Sequence, residues 1–415
     1  MTDEPLTPSA GPATAEALPL RRATRFHPPE ELARLRGRHP VSHLVYPDGH
    51  RGWLVTGYDA VRAVLADQRF SARRDKQHFP VRHPLVPEQA PPPPPGAFPE
   101  MDPPDHTRYR SLLTREFTAH RMRALAPRIE EIVRGQLDLL EKAGPVVDLH
   151  EAFGLTVPAL VICELLGVPY DRRDDFQEWA LRMISTDVTP EEAGQAYGSL
   201  RAFVQGLVAE KRAAGSEDLL GRLTASGELT EEELTTIALG LLFAGHALTG
   251  NMLSLGVFAL LEHPELLAEL RADGARAGAV VDELMRFLSL VHFGPVRVAL
   301  EDVEVAGVRI AAGESVTLSL PAANRDPARY AEPDALRPGR EHVAAHVGFG
   351  HGIHHCLGQE LARIQLRAGY RLLFERLPSL RLAVSAAEVP MQTEMPFYGV
   401  FRLPVTWDQV PGTAG

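Results

Sequence analysis

Cysteine is almost missing from this sequence, which has only Cys163 and Cys356 among its 415 residues. Two cysteines cannot form the disulfide framework of a small secreted domain, so a buried apolar core must stabilise the fold. A chain of this length can form a large core. The scarcity of cysteine therefore predicts a protein of a reducing compartment, and a cytoplasmic location is expected.

Positive charge is also in short supply. Asp and Glu number 54 against 43 Lys and Arg, which gives a formal net charge of −11. This balance argues against a nucleic-acid partner, although it leaves room for a local basic patch. Residues 1–20 contain acids and prolines but no apolar run, so they match neither a signal peptide nor a membrane anchor. We expect a disordered tail over residues 1–20 and a single domain over residues 21–415.

One long segment lacks charge altogether. From Leu234 to Leu261 the sequence has no Asp, Glu, Lys or Arg, and the segment is long enough to cross a bilayer. It nevertheless contains several glycines, His246, Asn251 and hydroxyl groups, and acidic rather than basic residues precede it. These features favour a buried central helix, and no membrane association is expected.

Apolar residues recur with helical spacing over most of the chain. The predicted helices are Tyr58–Asp67, Thr107–Phe117, Met122–Lys142, Leu155–Leu166, Asp174–Ser185, Pro190–Ala214, Thr230–Leu261, Pro264–Ala272, Ala277–Leu288 and Gln359–Phe374. Alternating patterns are fewer and shorter. They predict a strand at Gly52–Val55, a hairpin over Val303–Ile310 and a strand within residues 397–407. The fold class expected is mainly α with small β-sheets.

Five consecutive prolines, Pro91–Pro95, stand in a longer proline-rich stretch. Consecutive prolines favour an extended polyproline conformation. The stretch is either an interdomain linker or a stiff loop over a pocket, and its composition does not decide between them.

The segment around Cys356 carries the clearest chemical signal. Glycines flank a turn before the cysteine, and a helical pattern begins directly after it. Glycines let a backbone pass close to a flat, bulky group, and a helix N-terminus favours the thiolate that ligates metal. The histidines His346, His351, His354 and His355 raise the alternative of a zinc site. That alternative is disfavoured because the adjacent residues 354–356 cannot easily face one ion.

The run F-G-x-G-x-H-x-C-x-G is matched without gaps by Phe349, Gly350, Gly352, His354, Cys356 and Gly358. This run resembles the haem-binding motif of the cytochrome P450 family. Three further matches follow the family's order: Glu283-x-x-Arg286, the segment Asp102–Arg110, and Ala244-Gly245-His246. The resemblance implies the cytochrome P450 fold, with haem between the long central helix and the cysteine-loop helix. It also implies haem b (iron protoporphyrin IX) as cofactor, with the Cys356 thiolate as axial ligand of the metal.

The resemblance assigns further roles around the haem. His106, Arg110, Arg297 and His354 would bind the two propionates, since cations and donors pair well with carboxylates. Phe349, Gly350, Gly358, Ala244 and Gly245 would contact the haem, and Glu283, Arg286 and Arg340 would form a buried ionic network. Without the family, Glu-x-x-Arg and His-x-x-x-Arg patterns are usually solvated helix pairs. Cys163 lies in an apolar run and is expected to be a core residue.

The central helix departs from the family pattern. The family usually has an acid followed by an alcohol there, and the pair delivers protons during oxygen activation. Here Ala247 and Leu248 occupy the two positions, and only Thr249 carries a hydroxyl. Helical geometry turns Thr249 about 100° away from Leu248. A bulge that shifts the register by one residue would be needed to bring Thr249 into place.

By the same resemblance, four segments should face the substrate. They are the proline-rich loop before Met101, the central helix at Phe243–Leu248, the turn Leu290–Phe293 and the tail loop at Pro396–Tyr398. The predicted pocket residues are Phe243, Leu248, Leu290, Val291, His292, Phe293, Phe397 and Tyr398. The alternative is that several of the aromatic residues belong to the core. We expect a bulky, mostly apolar ligand, with His292 and Tyr398 as the polar contacts.

The expected function is that of a haem-thiolate oxidoreductase, a monooxygenase that hydroxylates or epoxidises a small natural product. Because Ala247 and Leu248 replace the acid–alcohol pair, oxygen activation is expected to be substrate-assisted. Ferredoxin and ferredoxin reductase are the expected electron donors, and the protein is expected to be a monomer. Two alternatives remain: oxidative coupling, cyclisation or peroxide-driven chemistry on the same fold, and a non-catalytic haem- or ligand-binding protein.

Overall fold

The computed structural model describes residues 14–82, 90–144, 146–184 and 188–408. The chain is mainly helical, with small sheets, as its apolar spacing predicts. Within the described ranges the helices are α1 Glu30–Arg38, α2 Tyr58–Ala66, α3 Asp105–Glu116, α4 Ala119–Ala124, α5 Ala126–Ala143, α6 Thr156–Leu166, α7 Arg173–Ile184, α8 Pro190–Ala214, α9 Leu219–Ala225, α10 Glu231–Leu261, α11 Pro264–Ala272, α12 Ala277–Leu288, α13 Leu320–Ala323 and α14 Gln359–Arg376. The strands are β1 Thr14–Ala15, β2 Val41–Val45, β3 Arg51–Val55, β4 Phe70–Ser71, β5 Val146–Asp148, β6 Val296–Ala299, β7 Val303–Val305, β8 Val308–Ile310, β9 Ser315–Leu318, β10 Arg381–Leu382 and β11 Pro404–Thr406.

The strands form three small sheets. The largest has the order β1-β2-β3-β9-β6-β4, in which β1–β2 and β3–β9 are parallel and the other pairs are antiparallel. The second has the order β10-β11-β5, and the third is the predicted hairpin β7-β8. The large sheet places β6 next to β9 and so fixes the segment that carries Arg297.

The uncharged segment forms α10, the central helix. Thr230 accepts a hydrogen bond from the Glu233 backbone N–H, and Glu233 caps the Thr230 backbone in return, so the helix begins where its sequence predicts. α10 is long and apolar enough to cross a membrane, but 72% of its most apolar 18-residue stretch is buried inside the protein. It packs against α6, α8, α14 and a π-helical turn at His150–Leu155. The segment is therefore a core helix.

Glycines allow α10 to approach its neighbours closely. A Cβ on Gly250 would lie 2.9 Å from the Gly154 carbonyl oxygen, and one on Gly154 would collide with the Ser254 hydroxyl. A Cβ on Gly245 would lie 2.6 Å from Ile162 Cδ1 of α6. Gly245 therefore serves helix packing, and the haem contact implied for it stays a prediction.

The structure departs from the sequence predictions in three places. Pro127 lies in the first turn of α5 and ends the preceding helix, so one predicted helix over Met122–Lys142 becomes α4 and α5. Only Pro404–Thr406 of the predicted tail strand is a strand, and Phe397 and Val400 form isolated bridges. Residues 14–20 are not loose, because Thr14–Ala15 pairs with β2 and Leu18 is buried; residues 1–13 of the predicted tail lie outside the described ranges.

The proline-rich stretch is described from residue 90 onward. Gly96 has φ of +92°, and a Cβ there would lie 2.7 Å from the Glu233 carbonyl oxygen of α10. Phe98, which follows it, belongs to the main core. The described part of the stretch is therefore a loop packed against α10, not a free linker.

Candidate functional site

The loop before α14 holds Cys356 through its backbone. Gly350 and Gly352 have φ of +73° and +72°, a positive range that residues with a Cβ atom rarely adopt. A Cβ on Gly352 would collide with the Leu65 carbonyl oxygen at the end of α2. The loop then turns back, so the Cys356 N–H donates to the Phe349 carbonyl at 2.9 Å. The cysteine is thereby fixed just before the N-terminus of α14.

The electrostatic environment of the Cys356 sulfur has two opposing parts. Burial raises the pKa of the thiol, whereas the Gly358 N–H and the cations Arg110 and Arg363 lower it. A metal ion at the sulfur would favour the thiolate outright. The donor set of one buried cysteine with nearby N–H groups and cations therefore fits a thiolate-ligated metal.

Side chains behind the loop hold it in place. Arg363 lies 4.6 Å over the Phe349 ring and donates to Asp282 of α12 at 2.7 Å. The Val347 N–H donates to Asn324 Oδ1 at 2.8 Å. These contacts connect the cysteine loop to α12, α13 and α14.

The predicted ionic network lies behind this layer. Arg286 donates from Nε and Nη2 to the two carboxylate oxygens of Glu283, each at 2.8 Å, and both side chains are fully buried. Arg340 Nε donates to Glu283 at 3.4 Å. The third Arg286 nitrogen donates to the carbonyls of Asn324 and Pro333, both at 2.8 Å. The structure thus brings Glu283, Arg286 and Arg340 together, and the carbonyl bonds join the network to the segment that supports the cysteine loop.

Four side chains that can donate hydrogen bonds lie together on the other side of the cysteine loop: His106, Arg110, Arg297 and His354. The rings of His106 and His354 lie 4.2 Å apart, and the pKa values of both are influenced by Arg110. Burial and the charge of Arg297 lower the pKa of His354 to about 3, and burial lowers that of Arg297 to about 10. Both ring nitrogens of His106 are buried without a hydrogen-bond partner among the described residues.

Near this cluster of two arginines and two histidines lies the carboxylate of Asp102, whose charge acts on His106 and Arg297. The nearby carboxylate of Asp102 accepts from the Ser71 hydroxyl at 2.5 Å and from the Ala72 N–H at 2.8 Å, so it is already engaged. Buried donors without acceptors are costly, and two carboxylates would satisfy them. The arrangement fits the two propionates of a haem whose iron lies at Cys356.

One face of α10 remains accessible inside the protein. Gly240 and Ala244 are exposed and Ala247 and Leu248 are partly exposed, although the rest of the helix around them is largely buried. Their spacing of four and seven or eight residues places them on one face. Thr249 and His246 are buried on another side, and the helix runs from Glu231 to Leu261 without a bulge. The shifted register that would bring Thr249 to this accessible face is therefore absent. We call the space that this face borders the cleft.

Two predicted pocket segments form a paired wall. Val291 and Phe397 oppose each other in an antiparallel bridge. Two backbone hydrogen bonds flank the bridge: the His292 N–H donates to the Pro396 carbonyl at 2.9 Å, and the Tyr398 N–H donates to the Leu290 carbonyl at 2.8 Å. Opposed residues project from the same face and their neighbours from the other. Val291 and Phe397 keep accessible surface, as does Phe243.

The wall corrects part of the predicted pocket. Leu290, His292, Phe293 and Tyr398 are at most 8% exposed. Because side chains alternate, His292 and Tyr398 lie behind the wall, where their rings form a T-shaped contact at 5.6 Å. Phe293 packs with the core around β2 and β3. These residues are therefore poor candidates for direct contact with a ligand.

Sequence reasoning missed two residues near the cleft. Tyr197 of α8 stacks on Phe243 at 6.5 Å, so it adds an aromatic ring to the accessible face of α10. Arg22 lies 3.7 Å over the Tyr398 ring behind the wall. Neither has a sequence signal, because both positions depend on how distant segments pack.

Comparisons with known proteins agree with this geometry. The profile of the cytochrome P450 family matches residues 195–379. Cytochrome P450 105C1 from a Streptomyces species is 48% identical over 387 residues, covering 93% of this chain and 97% of that protein. Pentalenic acid synthase from Streptomyces avermitilis is 42% identical, covering 97% of this chain and all of that protein. The crystal structure of cytochrome P450 MoxA from Nonomuraea recticatena superposes with a TM-score of 0.89 at 40% identity, covering 95% of this chain and 99% of that one.

Relatives this similar over nearly their whole length establish more than a shared fold. The solved structure shares its overall fold with this chain. The chain therefore belongs to the cytochrome P450 family, and its cofactor is haem b with the Cys356 thiolate as axial ligand.

Proposed function

We propose that this cytochrome P450 monooxygenase hydroxylates or epoxidises a small, largely apolar natural product. The observation that carries the proposal is the accessible face of α10, where Gly240, Ala244, Ala247 and Leu248 offer no charge and no hydrogen-bonding side chain. Phe243, Tyr197, Val291 and Phe397 extend this apolar surface. Apolar pockets with few polar groups select ligands of matching character. Relatives named vitamin D3 dihydroxylase and nocardicin C N-oxygenase support an oxidative role.

The chain's own residues prepare the site for this chemistry. When bound, haem supplies the oxidising chemistry, and thiolate ligation promotes cleavage of the O–O bond. The glycine turns fix the Cys356 sulfur, and His106, Arg110, Arg297 and His354 would hold the propionate charges. The apolar face of α10 would exclude bulk water from the opposite side of the haem.

Proton delivery is the step for which the chain offers least. Ala247 and Leu248 have no proton to give. Thr249 is 7% exposed and turned away from the cleft. His246 is 2% exposed, and burial lowers its pKa to about 4, so its ring is neutral near pH 7. We propose that a hydroxyl group of the substrate, or a water bound to it, delivers the proton.

The absence of a proton-donating side chain at Ala247 and Leu248 also favours a second candidate function. A positioned general acid typically contributes about 100- to 10,000-fold in rate, and a site without one suits chemistry that bypasses the step. Use of preformed peroxide, or oxidative coupling or cyclisation, would fit the pair Ala247 and Leu248.

We further propose ferredoxin and ferredoxin reductase as electron donors and a monomer acting in the cytoplasm. Support comes from the similarity to bacterial relatives over their full length.

The test is turnover of hydroxylated apolar natural products by the purified holoenzyme, supplied either with a surrogate ferredoxin, reductase and NADPH or with peroxide. Gain of one oxygen atom with ferredoxin supports monooxygenation, and loss of two hydrogens supports coupling. Substrate-assisted proton delivery predicts that analogues lacking the hydroxyl still bind but lose most product. Analogues oxidised as efficiently as the parent would favour the peroxide candidate. Lack of turnover under every condition, by protein with full haem content, would contradict the proposed activity.

A further inference from the structure

A buried cation lies behind the paired wall of the substrate pocket. Arg22 precedes α1, and its guanidinium carbon lies 3.7 Å from the centroid of the Tyr398 ring. Its Nε and Nη2 atoms are buried without a hydrogen-bond partner among the described residues, and Nη1 makes a long bond of 3.3 Å to the His27 carbonyl. A buried guanidinium needs compensation, and here the aromatic face of Tyr398 supplies part of it.

The position of Tyr398 links this contact to the pocket. Tyr398 is 1% exposed, and its backbone N–H donates one of the two hydrogen bonds that flank the bridge between Val291 and Phe397. Its ring also contacts His292 on the partner strand of the wall. Arg22 thus touches a residue whose backbone sets the position of Phe397, without itself facing the cleft.

The wall has few other means of holding its shape. Val291 and Phe397 form an isolated bridge, not part of a longer ladder, and the tail around them is mostly irregular. A two-residue pairing of this kind is weak by itself, so contacts behind it decide how well it is ordered. Arg22 and Tyr398 provide such a contact across more than 370 positions of sequence.

We propose that Arg22 is a positioning residue for the substrate pocket, acting through its stack on Tyr398 to hold Val291 and Phe397 against large ligands. The inference rests on the proposed placement of Val291 and Phe397 in the pocket. It assigns a role in ligand selection to a segment that lies far from the haem in sequence and does not line the cleft.

The test compares two probes that ligate haem iron in the holoenzyme. Imidazole is too small to reach the wall, whereas clotrimazole is bulky and apolar and would fill the cleft. Optical titration gives the Kd of each. We expect Arg22→Met to weaken clotrimazole about 3- to 30-fold, the range that a desolvated cation–π contact can supply, and to leave imidazole unchanged. Arg21→Met is the matched control, because Arg21 is the exposed neighbour.

A double-mutant cycle separates stacking from general damage. Tyr398→Leu should weaken clotrimazole like Arg22→Met, the double variant should be little worse than either, and Tyr398→Phe should retain affinity because the ring remains. Arg22→Lys should restore only part of the affinity, since lysine cannot stack as a plane. Equal losses for both probes, or additive losses in the double variant, would overturn the proposal.

Two further variants show which idea has failed if the result is negative. Val291→Ala and Phe397→Ala should both change clotrimazole affinity if these residues line the pocket. If both variants change the clotrimazole affinity and Arg22→Met does not, the positioning role is wrong and the placement of the pocket is supported. If neither does, the placement of the pocket is itself wrong.

Discussion

Cys356 depends on backbone conformation at its neighbours more than on contacts of its own. Gly350 and Gly352 adopt positive φ, and the Gly352 Cα packs against the end of α2. The Gly358 N–H and the charges of Arg110 and Arg363 favour the thiolate form of Cys356. Its role as ligand can therefore be tested by changing the sulfur while leaving the loop intact.

Cys356→Ser should remove the thiolate signature. Serine has nearly the same size, so the loop should fold, but its oxygen does not reproduce the electron donation of sulfur. The reduced carbon-monoxide complex of the wild type should show the absorption band characteristic of thiolate-bound haem, and that band should be lost in the variant. Cys163→Ser is the control, since Cys163 is a fully buried core residue. A retained band in Cys356→Ser would refute the ligand assignment.

Arg297→Ala should weaken haem retention. Arg297 is 9% exposed and lies among His106, Arg110 and His354, so its loss would leave a propionate charge buried without its partner. Breaking such a pair costs about 3 kcal/mol. Haem transfer to apomyoglobin and the unfolding midpoint measure the effect, and Arg134→Ala on the exposed face of α5 is the control. Unchanged values in both measurements would show that the propionates lie elsewhere.

Residue types at the site were largely predictable, whereas side-chain directions were not. The cysteine motif and the donors His106, Arg110, Arg297 and His354 meet in space as the sequence predicts. His292 and Tyr398 were expected in the pocket and lie behind its wall. Their direction follows from the register of a two-residue bridge, which no local pattern determines.

At the scale of single elements, several helix bounds could be predicted to the residue, both with and without a side-chain cap. α8, α11 and α12 begin and end at the predicted residues, and Thr189 and Thr230 cap α8 and α10 through capping boxes. The π-helical turn at His150–Leu155 was missed. It has no local signature, because it fits the close contact between Gly154 and Gly250 of two different elements.

That contact predicts a difference between two glycines of α10. Gly250→Ala should destabilise the protein by about 1–3 kcal/mol, because the added Cβ would lie 2.9 Å from the Gly154 carbonyl oxygen. Gly240→Ala adds the same group where nothing lies within 4 Å, and helix propensity should make it neutral or stabilising by up to about 1 kcal/mol. Urea unfolding of the holoenzyme followed by circular dichroism gives both values. Equal effects at the two positions would contradict the packing described.

The accessible face of α10 carries a second prediction, which concerns coupling. The double change Ala247→Glu and Leu248→Thr would restore an acid and an alcohol on that face. We expect it to reduce the hydrogen peroxide released per NADPH with poor substrates. With the native substrate we expect little change, because the proposed mechanism has that substrate deliver the proton. Leu248→Ile is the control for altered shape without a hydroxyl. An equal gain with every substrate would show that the substrate does not deliver the proton.

At the scale of the whole molecule, neutral histidines are buried in several places. His150, His246 and His292 are at most 6% exposed, and burial lowers the pKa of each to about 4. In the unfolded chain a histidine titrates near pH 6.5. Between about pH 4 and 6.5 the unfolded state therefore binds more protons than the folded state, so stability is present above pH 6.5 and is lost as the pH falls.

His246 offers the cleanest measurement of this effect. At pH 5 its protonation in the unfolded state lowers the free energy of unfolding by about 2 kcal/mol relative to pH 7. His246→Gln removes the titrating group but keeps a side chain that can hydrogen bond, so position 246 of the variant no longer contributes to the pH dependence of the free energy of unfolding. The variant should therefore lose less stability between pH 7 and pH 5 than the wild type, by about those 2 kcal/mol. Urea unfolding at pH 7, 6 and 5 measures the difference, and parallel curves for the two proteins would mean that His246 is not held neutral by burial.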